Sequence, residues 1–182
     1  APYCWKTSEG IKNKNLNSEK YNYTDADWFS IPYSTHKANW SEPYYDEGGG
    51  DTLMTTFSVP IYSNDNDTNS FIAVLTIDVS LDWLNKIING IKIFDTGFAF
   101  LISPSGNIVA HSDTSLIMEK NFMEIARKSG DKQLTEIAKD MMAGNSGFKQ
   151  LRSHFVREPS WIYYSVLDNN NWSLAFVFPE AE

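Results

Sequence analysis

The chain has 182 residues, 42% hydrophobic and 21% charged, with a net charge of −8 and a single cysteine. This is enough apolar content for one large or two small folded modules and is far from the disordered range. The acidic balance excludes nucleic acid as a partner, because phosphate binding needs a Lys/Arg surface. One cysteine excludes an internal disulfide and a Cys-rich zinc site, and no apolar run reaches the length that spans a bilayer.

In chain order, "APYCWKT" opens abruptly as an aromatic, strand-like segment, which reads as the edge of a fragment cut from a longer protein. Residues 10–27 are polar and Asn/Lys-rich and read as a long exposed connection. "WFSIPYSTHKANWSEPYYD" carries two prolines and six aromatics without clean periodicity. It is expected to be a structured loop with short strand pieces. From Thr52 the pattern alternates, with Leu53, Thr55, Phe57 and Val59 on one face and Met54, Thr56 and Ser58 on the other. Pro60 marks the end or edge of that strand. Ser63–Ser70 has hairpin-connection composition, and "FIAVLTIDVS" (Phe71–Ser80) follows as a mostly buried strand.

Ser80 suits the N-cap of a connector helix whose Leu81, Leu84, Ile87, Ile88 and Ile91 make an apolar stripe. "TGFAFLISPSGNIVAHS" reads as two strands around a Pro104-Ser105-Gly106 turn. Helical segments follow around "LIMEKNFMEIARKSG" and "QLTEIAKDMMAG". The second carries a Leu134, Ile137, Ala138, Met141 stripe and a C-cap glycine at Gly144. Three strands, "GFKQLRSHFV", "WIYYSVLD" and "WSLAFVFPE", close the chain. Antiparallel hairpins without regular βαβ alternation give an α+β class. The strand–helix order runs twice, so two modules are expected, 1–93 and 94–182.

Enzyme motifs are missing from the sequence: there is no nucleophile elbow, phosphate loop, dinucleotide fingerprint or zinc-protease helix. His36, His111 and His154 fall in separate segments without metal-ligand spacing and read as surface or hydrogen-bonded structural residues. Cys4 reads as a packing residue. No catalytic residue, metal ligand or cofactor site is therefore assigned. Gly48-Gly49-Gly50 precedes a strand, whereas a phosphate-cradling loop precedes a helix; it reads as a tight turn needing positive φ.

Asp78 lies inside an apolar strand, where it either sits near the strand end and caps the following helix or faces water, or lines a pocket and meets a cation. With Asp46 it could also form a hydrolytic carboxylate pair, although nothing in the sequence fixes their separation. Trp28, Phe29, Tyr33, Trp40, Tyr44 and Tyr45 exceed what loop packing needs. Beside these carboxylates they suit the lip of a pocket for a small organic cation or amine.

"DWFSIPY…WSEPYYDEGGGDTLMTTFSVPI" followed by "FIAVLTIDVSLDWL", then "TGFAFLISPSGNIVAHSD" and the closing "WIYYSVLDNNNWSLAFVFPE", resemble a double Cache sensor domain. This is the extracytoplasmic ligand-binding region of many bacterial chemoreceptors, histidine kinases and signalling phosphatases. The resemblance implies two PAS-like modules, 1–93 membrane-distal and ligand-binding and 94–182 membrane-proximal, stacked along a long N-terminal helix. That helix is absent from this chain and is expected upstream of Ala1. The resemblance further implies a non-enzymatic role, a small-molecule ligand, membrane anchoring through segments outside the chain, and a homodimer formed through the missing helix. In the amino-acid sensors of the family, a Tyr, an Arg, a Trp-Tyr pair, a Pro-Tyr-x-Asp and a late Asp surround the ligand. Tyr21, Trp28, Tyr44, Asp46, Thr55 and Asp78 match in spacing, and Phe29 stands where a Tyr is usual. Ala26 stands where the carboxylate-gripping Arg would be, and alanine cannot replace its planar, bidentate fork. An ordinary amino acid is therefore not the implied ligand, which leaves an amine, a different small polar molecule, or no ligand at all. The alternatives at this point are a carboxylate-dependent hydrolase using Asp46 and Asp78, and a structural or protein-binding ectodomain without a ligand.

Overall fold

A computed structural model describes residues 1–16, 22–63, 70–152, 155–156, 158–168 and 170–182. The chain divides into two compact units, Ala1–Ser80 and Leu81–Glu182. In the first unit, β1 (Pro2–Thr7) and β2 (Gly10–Asn15) form an antiparallel hairpin. Residues 10–15 are thus a strand and not a connection. GIKNKN gives no alternating signal because nearly every position of the ribbon is exposed.

A 3-10 turn at Tyr23–Asp25 leads into helix α1 (Asp27–Thr35). The expected loop is therefore a helix, although Pro32 lies inside it. Its order comes from i,i+4 pairs that the aromatic density conceals. Trp28 and Pro32 are buried, while Phe29 and Tyr33 stack with ring centroids 5.9 Å apart. His36, left-handed at φ 60°, ends the helix by donating its N–H to the Pro32 carbonyl at 3.0 Å.

The two-residue strands β3 (Asn39–Trp40) and β4 (Tyr44–Tyr45) pair with one edge of β5 (Leu53–Tyr62), and β6 (Phe71–Ser80) pairs with the other. All pairings are antiparallel. The hairpin joining β5 to β6 falls largely outside the described residues. Met54, Thr56 and Ser58 on one face of β5 are buried. The other face leaves Val59, Ile61, Leu75 and Ile77 exposed, the last two at 59% and 62%. β6 is thus apolar in composition without being the mostly buried strand expected of it.

The second unit begins with α2 (Leu81–Asn89), followed by β7 (Phe98–Ile102) and β8 (Ile108–Ala110). After a 3-10 turn at Thr114–Leu116 come α3 (Phe122–Lys128), α4 (Lys132–Met142), β9 (Gly147–Leu151), β10 (Ser160–Val166) and β11 (Ser173–Pro179). The strands form one antiparallel sheet in the order β8-β7-β11-β10-β9. Its core joins Phe100, Ile102, Ile108 and Ile162 to Phe122 of α3 and to Leu134, Ile137 and Met141 of α4. Gly144 adopts φ 74° just beyond α4.

The units separate after Ser80 and not after 93, because α2 packs on β7 and β8. Its buried face is Leu81, Asn85 and Ile88, whereas Ile87 is exposed. Asn85 belongs to that face because its side-chain oxygen accepts the backbone N–H of His111 at 3.0 Å. Cys4 is exposed rather than packed. The architecture is α+β with an antiparallel sheet in each unit, a PAS-like arrangement.

Candidate ligand-binding site

The glycine run after β4 wraps backbone around a carboxylate. Asp46 is 4% exposed, and its Oδ2 accepts the Gly50 N–H at 2.6 Å. Its own carbonyl accepts from Gly49 and Asp51 at 3.3 and 2.9 Å. Gly48 takes φ 76° and needs glycine for that reason. Gly49 needs it for space, since a Cβ there would lie 1.8 Å from Asp46 Oδ2. Lys14 of β2 braces the turn: its ammonium donates to the Gly48 carbonyl at 2.7 Å and to the Gly49 carbonyl. It lies 5.7 and 5.6 Å from the ring centroids of Tyr3 and Trp5.

Asp78 faces the same cluster from β6. Thr56 is its directly opposed partner on β5, so the two side chains share a face of the sheet. Thr56 Oγ1 donates to Asp78 Oδ1 at 2.7 Å. The Tyr44 hydroxyl lies 2.8 Å from the same Thr56 oxygen. Thr56 has a single hydroxyl proton and gives it to Asp78, so Tyr44 donates to Thr56. The Tyr3 phenol supplies Asp78 with a second hydrogen bond.

Burial pushes the Asp78 carboxyl above its ordinary value, and the like charge of Asp46 adds to the rise, while the Thr56 and Tyr3 hydroxyls pull it back. The Tyr3 phenol is pushed up to about 12, first by burial and then by the charges of Asp78 and Asp46. Tyr3, Tyr44, Asp46, Thr56 and Asp78 therefore form one electrostatically linked cluster. Ser58, two positions beyond Thr56 on the same face, keeps a buried hydroxyl with no partner among the described residues.

The remaining expected residues are placed elsewhere or differently. Thr55 turns to the opposite face and donates to the Ser41 carbonyl at 2.9 Å; Thr56 occupies the position beside Asp78. Trp40 pairs with Phe57, whose parity is also that of the far face, and packs on its ring at 5.2 Å. Trp28 stacks on Tyr23 at 6.0 Å and meets Phe29 edge-on. Phe29 and Tyr33 both contact Phe71, and Tyr33 is 52% exposed. These side chains make an aromatic cluster on α1. Tyr21 lies outside the described residues. Ala26, at the N-cap of α1, contributes only a methyl group. Sequence reasoning missed Tyr3 and Thr56. The period-two placement of Tyr3 and Trp5 in PYCWKT was the signal for the first, and only the β5–β6 register reveals the second.

Comparison with known proteins follows this geometry. Residues 1–86 match the family model described as "Methyl-accepting chemotaxis protein-like, first PDC sensor domain". The methyl-accepting chemotaxis protein McpC of Bacillus subtilis is 32% identical over 95 residues, which cover 52% of this chain and 14% of that protein. Among solved structures, the extracellular domain of mmHK1S-Z3, assigned as a histidine kinase, matches with TM-score 0.79 and 24% identity over 99% of this chain and 61% of that one. The ligand-binding domain of the Pseudomonas aeruginosa amino acid chemoreceptor PctB, in complex with L-Gln, matches with TM-score 0.65 and 19% identity over 99% of this chain and 68% of that one.

The fold is PAS-like and is shared with extracellular sensor domains of chemoreceptors and histidine kinases. Over residues 1–86 the chain is similar to the first PDC sensor domain of methyl-accepting chemotaxis protein-like receptors, and it spans only a small part of the length of the curated relatives it matches. Among the described residues no helix is long and apolar enough to cross a membrane.

Proposed function

We propose that Ala1–Ser80 is the membrane-distal, ligand-binding module of a sensor and takes a small polar molecule through a protonated amine placed against Asp78. The observation that carries this reading is how the Asp78 charge is met: by two hydroxyl donors, Thr56 and Tyr3, with a second carboxylate nearby. A hydroxyl dipole supports a carboxylate without neutralising it, so the site keeps a net preference for a cation. The buried Ser58 hydroxyl offers a further polar contact on the same face. PctB, which shares the fold, holds L-Gln. Here Ala26 brings no guanidinium to grip a ligand carboxylate, which favours an amine without an α-carboxylate. Occupancy then biases the conformation of a membrane receptor through segments outside this chain, in the homodimer expected to form through an upstream helix.

Calorimetry with 2-phenylethylamine, L-glutamine and acetate, on the wild type and Asp78→Asn, tests the reading. Loss of a charge-assisted hydrogen bond weakens amine binding by about 10- to 100-fold. L-Glutamine binds more weakly than the amine, and acetate does not bind. Equal amine affinity in both proteins, with Asp78→Asn melting no lower than wild type, refutes the assignment of the ammonium to Asp78.

A further inference from the structure

The second unit holds a cavity of about 940 Å³, within the range of small-molecule sites. Its wall is largely apolar, built from Phe98, Leu116, Ile125, Leu134, Val156 and Val177. One polar group stands out among these residues. His111, at the end of β8, is only 6% exposed, and its buried Nε2 has no hydrogen-bond partner among the described residues.

The rest of His111 is fixed in place. Its backbone N–H donates to Asn85 Oδ1 at 3.0 Å, and its carbonyl accepts from Asn89 Nδ2 at 3.4 Å. Nδ1 accepts the Asp113 N–H at 2.9 Å, so in the neutral ring the proton sits on Nε2. Burial lowers the pKa of the ring and favours this neutral form. Phe98, Phe100 and Phe155 surround the imidazole at centroid distances of 5.3, 5.9 and 6.0 Å. The result is a fixed N–H donor in an aromatic wall, a group that is costly to bury without an acceptor.

We infer that this cavity is a second ligand site, for a small apolar molecule carrying one uncharged acceptor oxygen, with His111 Nε2–H as the donor. The charges lining the cavity select against an anion. Among the described residues that line it, Lys120 and Lys128 are outnumbered by Asp113, Glu124 and Glu158, and Lys128 is already within 3.9 Å of Glu124. A neutral donor also gives a carboxylate no charge to offset its desolvation. The site lies wholly in Leu81–Glu182 and does not depend on the reading of Asp78.

The test uses the whole 182-residue chain with acetophenone, ethylbenzene and benzoate, which share a benzene ring and differ in their acceptor. Calorimetry is expected to give acetophenone an affinity about tenfold above ethylbenzene, the value of one hydrogen bond to a buried donor, with benzoate the weakest. Long-range proton–nitrogen spectra are expected to show the His111 Nε2 resonance moving on addition of acetophenone but not ethylbenzene. In His111→Phe, acetophenone drops to the ethylbenzene level while ethylbenzene is unchanged, which shows that the cavity persists. Should that variant fail to fold, the wild-type spectra and the ranking of the three probes decide the matter. Equal affinity for acetophenone and ethylbenzene, tightest binding of benzoate, or no binding by any probe overturns the inference; the last means that the cavity holds water alone.

Discussion

The neighbouring threonines 55 and 56 provide a controlled experiment on the cluster. Replacing Thr56 by Val keeps the β-branched shape and deletes one hydroxyl. Two hydrogen bonds go with it: 2.7 Å to Asp78 and 2.8 Å from Tyr44. A bond to a charged group contributes about 1.5–3 kcal/mol and a neutral one about 1 kcal/mol, so Thr56→Val costs about 2.5–4 kcal/mol near neutral pH. Thr55→Val removes one neutral bond, to the Ser41 carbonyl at 2.9 Å, and costs about 1 kcal/mol.

Their pH dependence separates the two variants further. The folded-state pKa of Asp78 is raised, so its favourable contribution is complete below the unfolded value of 3.8 and is lost as pH rises through the folded value. Thr56 holds that pKa down, so Thr56→Val raises it further, and the cost of the variant grows as pH climbs from 3.8 toward neutrality. The Thr55→Val cost stays flat. Urea denaturation across pH 3.5–7, with the Asp78 carboxyl followed by carbon-13 NMR, measures both effects. If Thr55→Val moves the Asp78 titration as far as Thr56→Val does, the assigned parity of β5 is wrong.

Three other outcomes follow from the same cluster. Asp78→Asn keeps the shape and removes a charge that burial and Asp46 disfavour, so it unfolds at a higher urea concentration than wild type at pH 7 and at a similar one near pH 3. Gly49→Ala drives a methyl group into a buried, backbone-bonded carboxylate and costs about 2–3 kcal/mol by denaturant unfolding, against about 1 kcal/mol for Gly48→Ala, where φ is 76°. Ultraviolet titration finds the Tyr3 phenol ionising near about 12. The stability linked to its raised pKa is complete below 10.0 and lost as pH climbs through that range, and Asp78→Asn brings the midpoint down.

The sequence announces a segment when its chemistry and its period agree. The alternation of β5 and the Leu134, Ile137, Ala138, Met141 stripe of α4 are plain, and all four stripe residues are buried. α1 is hidden because Pro32 argues against a helix and because its i,i+4 pairs, the buried Trp28 and Pro32 and the stacked Phe29 and Tyr33, are too few to show a period. β2 is hidden because a two-stranded ribbon exposed on both faces has no reason to alternate. The exposure of Leu75 and Ile77 marks a different limit: apolarity shows that a side chain can be buried, not that anything covers it. The candidate site is legible to the same degree. Asp46, Asp78 and Tyr44 are conspicuous by residue type and context, whereas choosing Thr56 over Thr55 requires the strand register, since one residue's slip exchanges the faces of a strand.

The same register explains why the cluster is suited to sensing. A lysine placed beside Asp78 would stabilise it and remove its appetite for a ligand. Lys14 is instead directed to the Gly48 and Gly49 carbonyls, where it stiffens the turn that holds Asp46. Asp78 receives oriented hydroxyl dipoles from Thr56 and Tyr3, and Tyr44 polarises the first of these by donating to it. Dipoles hold the carboxylate in position but leave its charge and part of its desolvation cost in place, as its raised pKa records. A cationic ligand relieves that cost and a neutral one does not, so the free energy left unrelieved in the empty site becomes discrimination when the ligand arrives.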